Sequence, residues 1–374
     1  MVVPDTGGRT IALPPLGVRH RVGANGCALR CLRVQPLQIR GMTESSFLTL
    51  RAAIVQAEVA ADLATGVALT DKQAAEAAAA GAALVVFPET WLPGYPAWLD
   101  VCRDAGLWDH PPVKAVFRRM AEQSVVVDGS SGQALAAIAA RHRIAMVVGV
   151  VERVEQGPGR GTLFNSLLTY GRDGSLLNHH RKLVPTYTER LVWGPGDSEG
   201  LRAVDVPTGT GHARVGGLVC WEHWMPLARQ ALHESGEDVH IAAWPTVKEM
   251  LQVASRHYAF EGRCFVLAAG SLMRASALPP ELETHPTIVA SADQLVLRGG
   301  SAIIAPNGSY VAGPVFDTPA LLVADLDLAL TREEAMTLDV AGHYSRPDVF
   351  TFGVQTFGAR SSRRSSPVSA RPMT

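Results

Sequence analysis

The chain has 374 residues, 34 basic and 35 acidic side chains, five cysteines and 47% hydrophobic residues. That is enough length for one large domain or two ordinary ones with a substantial core, which sets aside a disordered or fibrous protein. The near-neutral charge argues against a surface built throughout to grip nucleic acid or anionic lipid. Five thinly spread cysteines argue against the disulfide framework of a small secreted domain.

The ends differ from the middle. Residues 1–41 carry six arginines against Asp5, a net +5, with no helical or strand period. Such a leader fits an organellar targeting segment. Met42 stands just before the first strand, however, and a start assigned too early is the simpler account. Cys27 and Cys31 lie there four apart without a second ligand pair, so no zinc site is expected. Residues 354–374 hold four arginines, five serines and no acid, and read as a solvated tail. The whole chain stands at −1, so the middle, residues 42–353, stands at −10. No apolar run reaches the roughly 18 to 20 residues of a membrane-spanning helix, and no secretory h-region is present. A cytoplasmic protein with no membrane or nucleic-acid partner is expected.

Apolar, β-rich runs alternate with alanine-rich helical runs across the middle, the pattern of a layered α/β domain. Leu50 to Gln56 is the first predicted strand. Thr70 with Gln73 predicts a capping box, for a helix ending at Gly81. Ala82 to Phe87 is a short strand apolar on both faces. Ser130 with Gln133 predicts the start of a helix whose Leu135, Ile138 and Ala139 share a face, and Ile144 to Val151 the strand that follows. Asp173-Gly174 and Asn307-Gly308, each between apolar runs, predict hairpins. Further strands are expected at Ala213 to Val219, Val239 to Ala243, Cys264 to Ala269 and Leu321 to Leu326. The sheet is therefore mixed, and a single domain of residues 42–353 suffices.

In open α/β sheets chemistry gathers beyond the carboxyl ends of strands. Three predicted strands deliver reactive groups: Leu84 to Pro88 ends in Glu89, the second strand of the first hairpin, Ser175 to Leu183, carries Lys182, and Val215 to Val219 ends in Cys220. Glu89 precedes Thr90-Trp91-Leu92-Pro93-Gly94-Tyr95-Pro96, a loop suited to walling a pocket. Cys220 follows two glycines and leads into Trp221-Glu222-His223-Trp224, where backbone can approach a ligand and aromatics can exclude water. Seven residues beyond Lys182 stands Glu189.

The segment Phe87-Pro88-Glu89-Thr90-Trp91, the run from His180 to Arg190 and the segment Cys220-Trp221-Glu222-His223 resemble the three signature regions of the nitrilase branch of the carbon-nitrogen hydrolases. Gly342 to Phe350 is similar to a stretch typical of true nitrilases. The likeness spans about residues 50–353 in order. One departure is Ser198 after Gly196-Asp197, where the family pattern has glycine. The resemblance implies an α/β fold of the four-layer αββα sandwich type, a triad of Glu89, Lys182 and Cys220, Glu189 near the lysine, and self-assembly into dimers or spirals. It also implies hydrolysis of an organic nitrile with water to the carboxylic acid and ammonia, through a thioimidate and a thioester.

Elementary chemistry agrees with that role for the triad. A nitrile carbon is weakly electrophilic and calls for a thiolate, while a free cysteine is mostly protonated at neutral pH, so an adjacent base and a cation are needed. Glu89 suits the base and Lys182 the cation. Lys182 and the backbone N–H of Trp221 are placed to stabilise charge on the nitrile nitrogen, one such donor being worth about 3 to 4 kcal/mol. Trp221, Tyr95 and Trp224 are the substrate-binding candidates, with Trp91, Trp98 and Trp244 also able to shape the pocket. His223 reads as structural or pocket-lining, Glu222 as a buried partner, His179 and His180 as strand residues on opposite faces, and Cys102 and Cys264 as ordinary thiols. Gly157 to Gly161 and Gly209-Thr210-Gly211 are turns. Nothing implies a metal or other cofactor. An amidase or a cyanide-hydrolysing enzyme would use the same triad, and a silent scaffold the same fold.

Overall fold

Short apolar runs become strands covered on both faces. A computed structural model of the chain describes residues 49–208 and 211–355. The basic leader with Cys27 and Cys31, the dipeptide Gly209-Thr210 and the tail from residue 356 lie outside the described residues. In chain order the strands are β1 (Thr49–Gln56), β2 (Leu84–Val86), β3 (Ala145–Arg153), β4 (Leu163–Tyr170), β5 (Leu176–Arg181), β6 (Val204–Pro207), β7 (His212–Val219), β8 (Val239–Ala243), β9 (Phe265–Ala269), β10 (Leu272–Arg274), β11 (Leu295–Ile304), β12 (Tyr310–Phe316) and β13 (Ala320–Asp327). The helices are α1 (Leu63–Ala79), α2 (Trp98–Val101), α3 (Pro111–Glu122), α4 (Ser130–His142), α5 (Pro226–Glu234), α6 (Glu249–Gly262) and α7 (Ala329–Ala335).

The strands form two mixed sheets, where the apolar pattern alone predicted one. The first has the order β13-β1-β2-β3-β4-β5, and the second β10-β11-β9-β8-β7-β6 with β12 paired to β11. β1, β2 and β3 run parallel, as do β7, β8 and β9. Alternation along β1 shows how the layers arise. Ala52 and Ile54 join Val215, Leu218, Ile241 and Leu267 of the second sheet in one core cluster. Ala53 and Val55 face the other way, with Ala74 and Ala77 of α1 and Leu135, Ile138 and Ala139 of α4. α5 and α6 bring Ala228, Leu232, Ala254 and Tyr258 against the second sheet. The result is the expected αββα order of layers.

Both hairpin signals are realised. Gly174 (φ 84°) and Gly308 (φ 79°) take the left-handed conformation, and the preceding Asp173 and Asn307 each accept the N–H two residues on, at 3.0 Å. The α1 boundary corrects the expected capping box. The helix starts at Leu63, capped by Asp62, whose Oδ1 accepts the N–H of Thr65 at 2.8 Å. Thr70 is buried inside the helix, donating to the Gly66 carbonyl and accepting from Trp91 Nε1, both at 2.8 Å. A buried indole N–H needs an acceptor, and the threonine supplies it. Helix α4 does begin at Ser130, with Gly129 as the residue at the cap. No helix among the described residues is long and apolar enough to cross a membrane.

The cap assignment is testable. Asp62→Ala should cost about 1 kcal/mol of stability, read as a lower urea midpoint, whereas Gln73→Ala should leave the midpoint within about 0.5 kcal/mol of the parent.

Candidate active site

Glu89, Lys182 and Cys220 each stand just beyond a strand, and two sheets deliver them. Glu89 follows β2 by way of Phe87-Pro88, Lys182 is the first residue after β5, and Cys220 the first after β7. Close approach of backbone positions Glu89. Gly149 on β3 lies against it, so that a Cβ there would sit 2.2 Å from the Pro88 carbonyl oxygen and 2.7 Å from Glu89 Cα. Cys220 has φ 55°, the left-handed region that non-glycine residues avoid, at the start of a 3-10 turn, Cys220–Trp224. Thr90 (φ 45°) and Tyr187 (φ 44°) share that conformation beside Glu89 and Glu189. Such strain persists only where the surroundings over-determine it.

Lys182 Nζ donates to Glu189 Oε2 at 2.6 Å and to Glu89 Oε1 at 3.1 Å, and all three side chains are buried. Asn165 Nδ2 donates to the same Glu89 oxygen at 2.6 Å. Glu189 also accepts the N–H of Thr186 at 2.7 Å and the Tyr95 hydroxyl at 3.1 Å. Cys220 is only 5% exposed, and its sulfur lies within 4.8 Å of a carboxylate oxygen of Glu89 and of Glu189. Those three groups could geometrically meet a cation. The Lys182 ammonium, bonded to both carboxylates, already supplies the positive charge they would seek.

Burial dominates the electrostatics. It raises the Glu89 carboxyl to about 7 against the opposing pull of Lys182, with Glu189 adding to the rise and Asn165 reducing it. Burial alone would weaken the Lys182 ammonium, but Glu89, Cys220 and Glu189 more than offset it, so its pKa is raised. The Cys220 thiol is held well above its ordinary value by burial and by Glu89, against Lys182 and the N–H of Trp221. The resting nucleophile is therefore a thiol beside a carboxylate ready to take its proton, rather than a standing thiolate. Glu89 Oε2 has no hydrogen-bond partner in the protein, which leaves it open for that task.

A cavity of about 640 Å³ opens onto Cys220 and Glu189, and is lined as well by Tyr95 and Trp221 together with apolar Val101, Leu251, Val296 and Leu297. Of the three substrate-binding candidates, Trp221 and Tyr95 line this cavity. Trp224 does not line this cavity. In a 3-10 turn it lies a full turn, about 6 Å, beyond Trp221, and it is half-exposed. Trp91 and Trp98 are core residues, and Trp244 is fully buried against His223.

The neighbouring histidines and acids take structural places. His180 bonds Glu222 at 2.9 Å and His179 bonds Glu152 at 2.7 Å, on opposite faces of β5. Glu222 is buried and accepts the N–H groups of Leu183 at 2.8 Å and Val219 at 2.7 Å, fastening the chain beside Lys182 to the chain beside Cys220. His223 points at the Cys220 carbonyl and at His240. Cys102 and Cys264 are buried free thiols. Sequence reasoning missed Asn165 and also Trp193, whose ring lies 6.0 Å from Lys182 Nζ. An amide inside the apolar strand Leu163–Tyr170 was the available signal for Asn165.

The family model for carbon-nitrogen hydrolases matches residues 51–335. The chain is a carbon-nitrogen hydrolase. It is 36% identical over 313 residues to a bifunctional nitrilase/nitrile hydratase of Lupinus angustifolius, covering 82% of this chain and 86% of that protein. A nitrilase of Paraburkholderia phymatum is 37% identical over 289 residues (75% of this chain, 78% of that protein). An aliphatic nitrilase of Sinorhizobium fredii is 36% identical over 301 residues (80% and 94%). Among solved structures, the amidase from Nesterenkonia sp. AN1 in complex with acrylamide is similar in fold, with TM-score 0.56 and 20% identity over 78% of this chain and 96% of that one. The family's two-sheet fold is the one described above.

Gly149→Ala should push the Glu89 backbone aside while leaving most of the sheet intact. A loss of about 100-fold or more in turnover with a near-parental circular dichroism spectrum is expected.

Proposed function

We propose that the chain is a nitrilase, hydrolysing an organic nitrile and two waters to the carboxylic acid and ammonia. The observation that carries this reading is the meeting of Glu89, Lys182, Glu189 and Cys220 in one buried cluster, with Glu189 and Cys220 on the wall of a cavity that has apolar surface. The names borne by relatives that align over most of the chain support nitrile over amide.

The reaction follows from the geometry. Cys220 Sγ attacks the nitrile carbon as Glu89 takes the thiol proton, forming a C–S bond while the nitrile π-bond electrons move to nitrogen. Lys182 keeps its charge in place and, with the Trp221 N–H, faces the nitrogen where negative charge develops. Glu89 hands that proton to the nitrogen, which yields a thioimidate and restores the carboxylate. Glu89 then takes a proton from the first water, whose oxygen adds to the same carbon. Breaking the C–N bond releases ammonia and leaves a thioester, which a second water hydrolyses to the acid and the free thiol. Glu189 and Tyr95 hold the Lys182 head in position throughout.

Residues 42–353 form the working domain in this proposal, and the enzyme is cytoplasmic and homo-oligomeric. Buried free thiols at Cys102, Cys220 and Cys264 suit a reducing compartment. Exposed Leu227 on α5 and Met250, Val253 and Phe260 on α6 suit self-association.

Three outcomes test the reading. A panel of nitriles and their amides should give acid and ammonia from nitriles at the higher kcat/KM; turnover of amides alone would make the chain an amidase. Cys220→Ala should abolish turnover, and full activity in that variant would refute the mechanism. The pH profile tests Glu89. A base must be ionised, so a carboxyl raised to about 7 makes kcat/KM fall about tenfold per pH unit on the acid side. Asn165→Ala removes a bond that favours the ionised form, so its acid limb should move to higher pH.

A further inference from the structure

One buried polar row is left unused by this mechanism. His223 Nδ1 lies 2.7 Å from the Cys220 carbonyl oxygen, and His223 Nε2 lies 3.0 Å from His240 Nε2. His240 Nδ1 lies 2.8 Å from Glu237 Oε1, and Tyr258 donates its hydroxyl to Glu237 Oε2 at 2.5 Å. All four side chains are buried. The row crosses the second sheet from the turn after β7, through β8, to α6. Its rings are held by stacking: His223 on Trp244 at 4.6 Å and His240 on Tyr258 at 3.6 Å. Gly216 on β7 makes the slot for the carboxyl, since a Cβ there would sit 2.0 Å from Glu237 Oε1.

Hydrogen-bond direction along this row is forced from its catalytic end. A carbonyl only accepts, so His223 must carry its proton on Nδ1. Burial, with His240 adding to it, holds His223 down to about 3, so the ring is neutral and Nε2 is bare. Nε2 must then accept from a proton on His240 Nε2. His240 is held well below its ordinary value by burial and His233, so its Nδ1 is bare in turn. The 2.8 Å contact with Glu237 therefore needs a proton brought by the carboxyl. Moving that proton across the contact to His240 preserves the direction of the row. Losing it to solvent does not. The row would then bond only by reversing every member, which turns a bare Nδ1 toward the Cys220 carbonyl and removes the bond that braces a residue at φ 55°.

We propose that His223, His240, Glu237 and Tyr258 form a single-proton positioning chain that braces the backbone of Cys220 for attack only while the Glu237–His240 pair keeps its proton. The proposal rests on Cys220 being the nucleophile. Burial raises Glu237 to about 7, against Tyr258, His233 and Arg214, which puts loss of the proton on the alkaline side of neutrality. The charged and titratable groups that face the row are Arg214 from β7, His233 from α5, Tyr258 and Glu261 from α6, Cys264 ahead of β9, and Glu222, His180 and Arg229 around the two histidines. Arg229 donates to the His223 carbonyl at 3.0 Å and so anchors the same turn from outside.

The parent kcat/KM profile should then be bell-shaped, with an alkaline limb falling about tenfold per pH unit that belongs to Glu237. Glu237→Leu breaks the row and should lower kcat about 10 to 100-fold with KM little changed. Glu237→Gln restores a fixed donor to His240 and an acceptor for Tyr258, so it should recover kcat and lose the alkaline limb. Tyr258→Phe removes a bond that favours the carboxylate, so its limb should move to higher pH; this variant decides the matter if the Glu237 variants fail to fold. An alkaline limb that neither Glu237→Gln nor Tyr258→Phe displaces overturns the proposal. Nuclear magnetic resonance of the parent labelled with ¹⁵N-histidine supplies a readout without turnover, and should find His223 as the neutral Nδ1–H tautomer at about pH 6. Finding the Nε2–H tautomer there overturns the chain even if nitriles are hydrolysed, whereas the expected tautomer without nitrile turnover refutes the proposed function and leaves the chain standing.

Discussion

A buried ammonium organises the site. Lys182 is 1% exposed and could not stay charged there alone, so two carboxylates accompany it into the interior. Two acids around one base leave an excess of negative charge in the protein interior. That excess must be relieved by keeping a proton. Glu89 and Cys220, the two groups free to hold one, are pushed upward accordingly. The base and the nucleophile of the proposed reaction thus owe their resting protonation to the same ion cluster, and any change in the lysine's partners is felt at the sulfur.

The cluster has to be assembled across a gap, because Glu89 and Lys182 come from the first sheet and Cys220 from the second. Glu222 spans it. One carboxylate accepts N–H groups from Leu183 and Val219, the neighbours of the lysine and the nucleophile, and takes a third bond from His180. Burial raises its pKa but His180 and the two amides win, so the group stays ionised and both its oxygens accept hydrogen bonds. Removing a single partner would strand a charge in the core, which costs far more than an ordinary hydrogen bond. Backbone strain at Thr90, Tyr187 and Cys220 clusters on the residues this framework holds.

Much of this arrangement was legible beforehand, and the failures have identifiable causes. Strands such as Val239–Ala243 announce themselves because burial on both faces demands an unbroken apolar run, and the Asp173-Gly174 and Asn307-Gly308 turns because few residues tolerate a left-handed backbone. The same alternation cannot say which of two sheets a strand joins, so two sheets looked like one. Thr70 was misread because a hydroxyl three residues before Gln73 looks the same at a helix start as in its interior; only the position of the Trp91 indole distinguishes them. Trp224 stands outside the cavity because a full 3-10 turn separates it from Trp221, a spacing along the chain that residue order alone does not reveal. Within the site, the three strand-end residues stood out by position, but their partnership came from family resemblance, and Asn165 escaped because nothing local marks a buried amide as a carboxylate's neighbour.

The pairing of β13 with β1 carries a consequence for how the chain is made. Arg51 and Asp325 face each other across that ladder with two bonds of 2.7 Å, yet 274 residues separate them. At about 5 to 20 residues per second of synthesis, the partner of β1 emerges some 14 to 55 seconds after β1 itself. During that interval the outer edge of β1, bordered by Leu50, Ala52 and Ile54, is a row of unpaired amides and carbonyls next to apolar side chains. The β1–β13 ladder cannot form before residue 327 has been made, so that edge of β1 stays unpaired throughout the interval, the period in which a ribosome-associated chaperone has the most to protect.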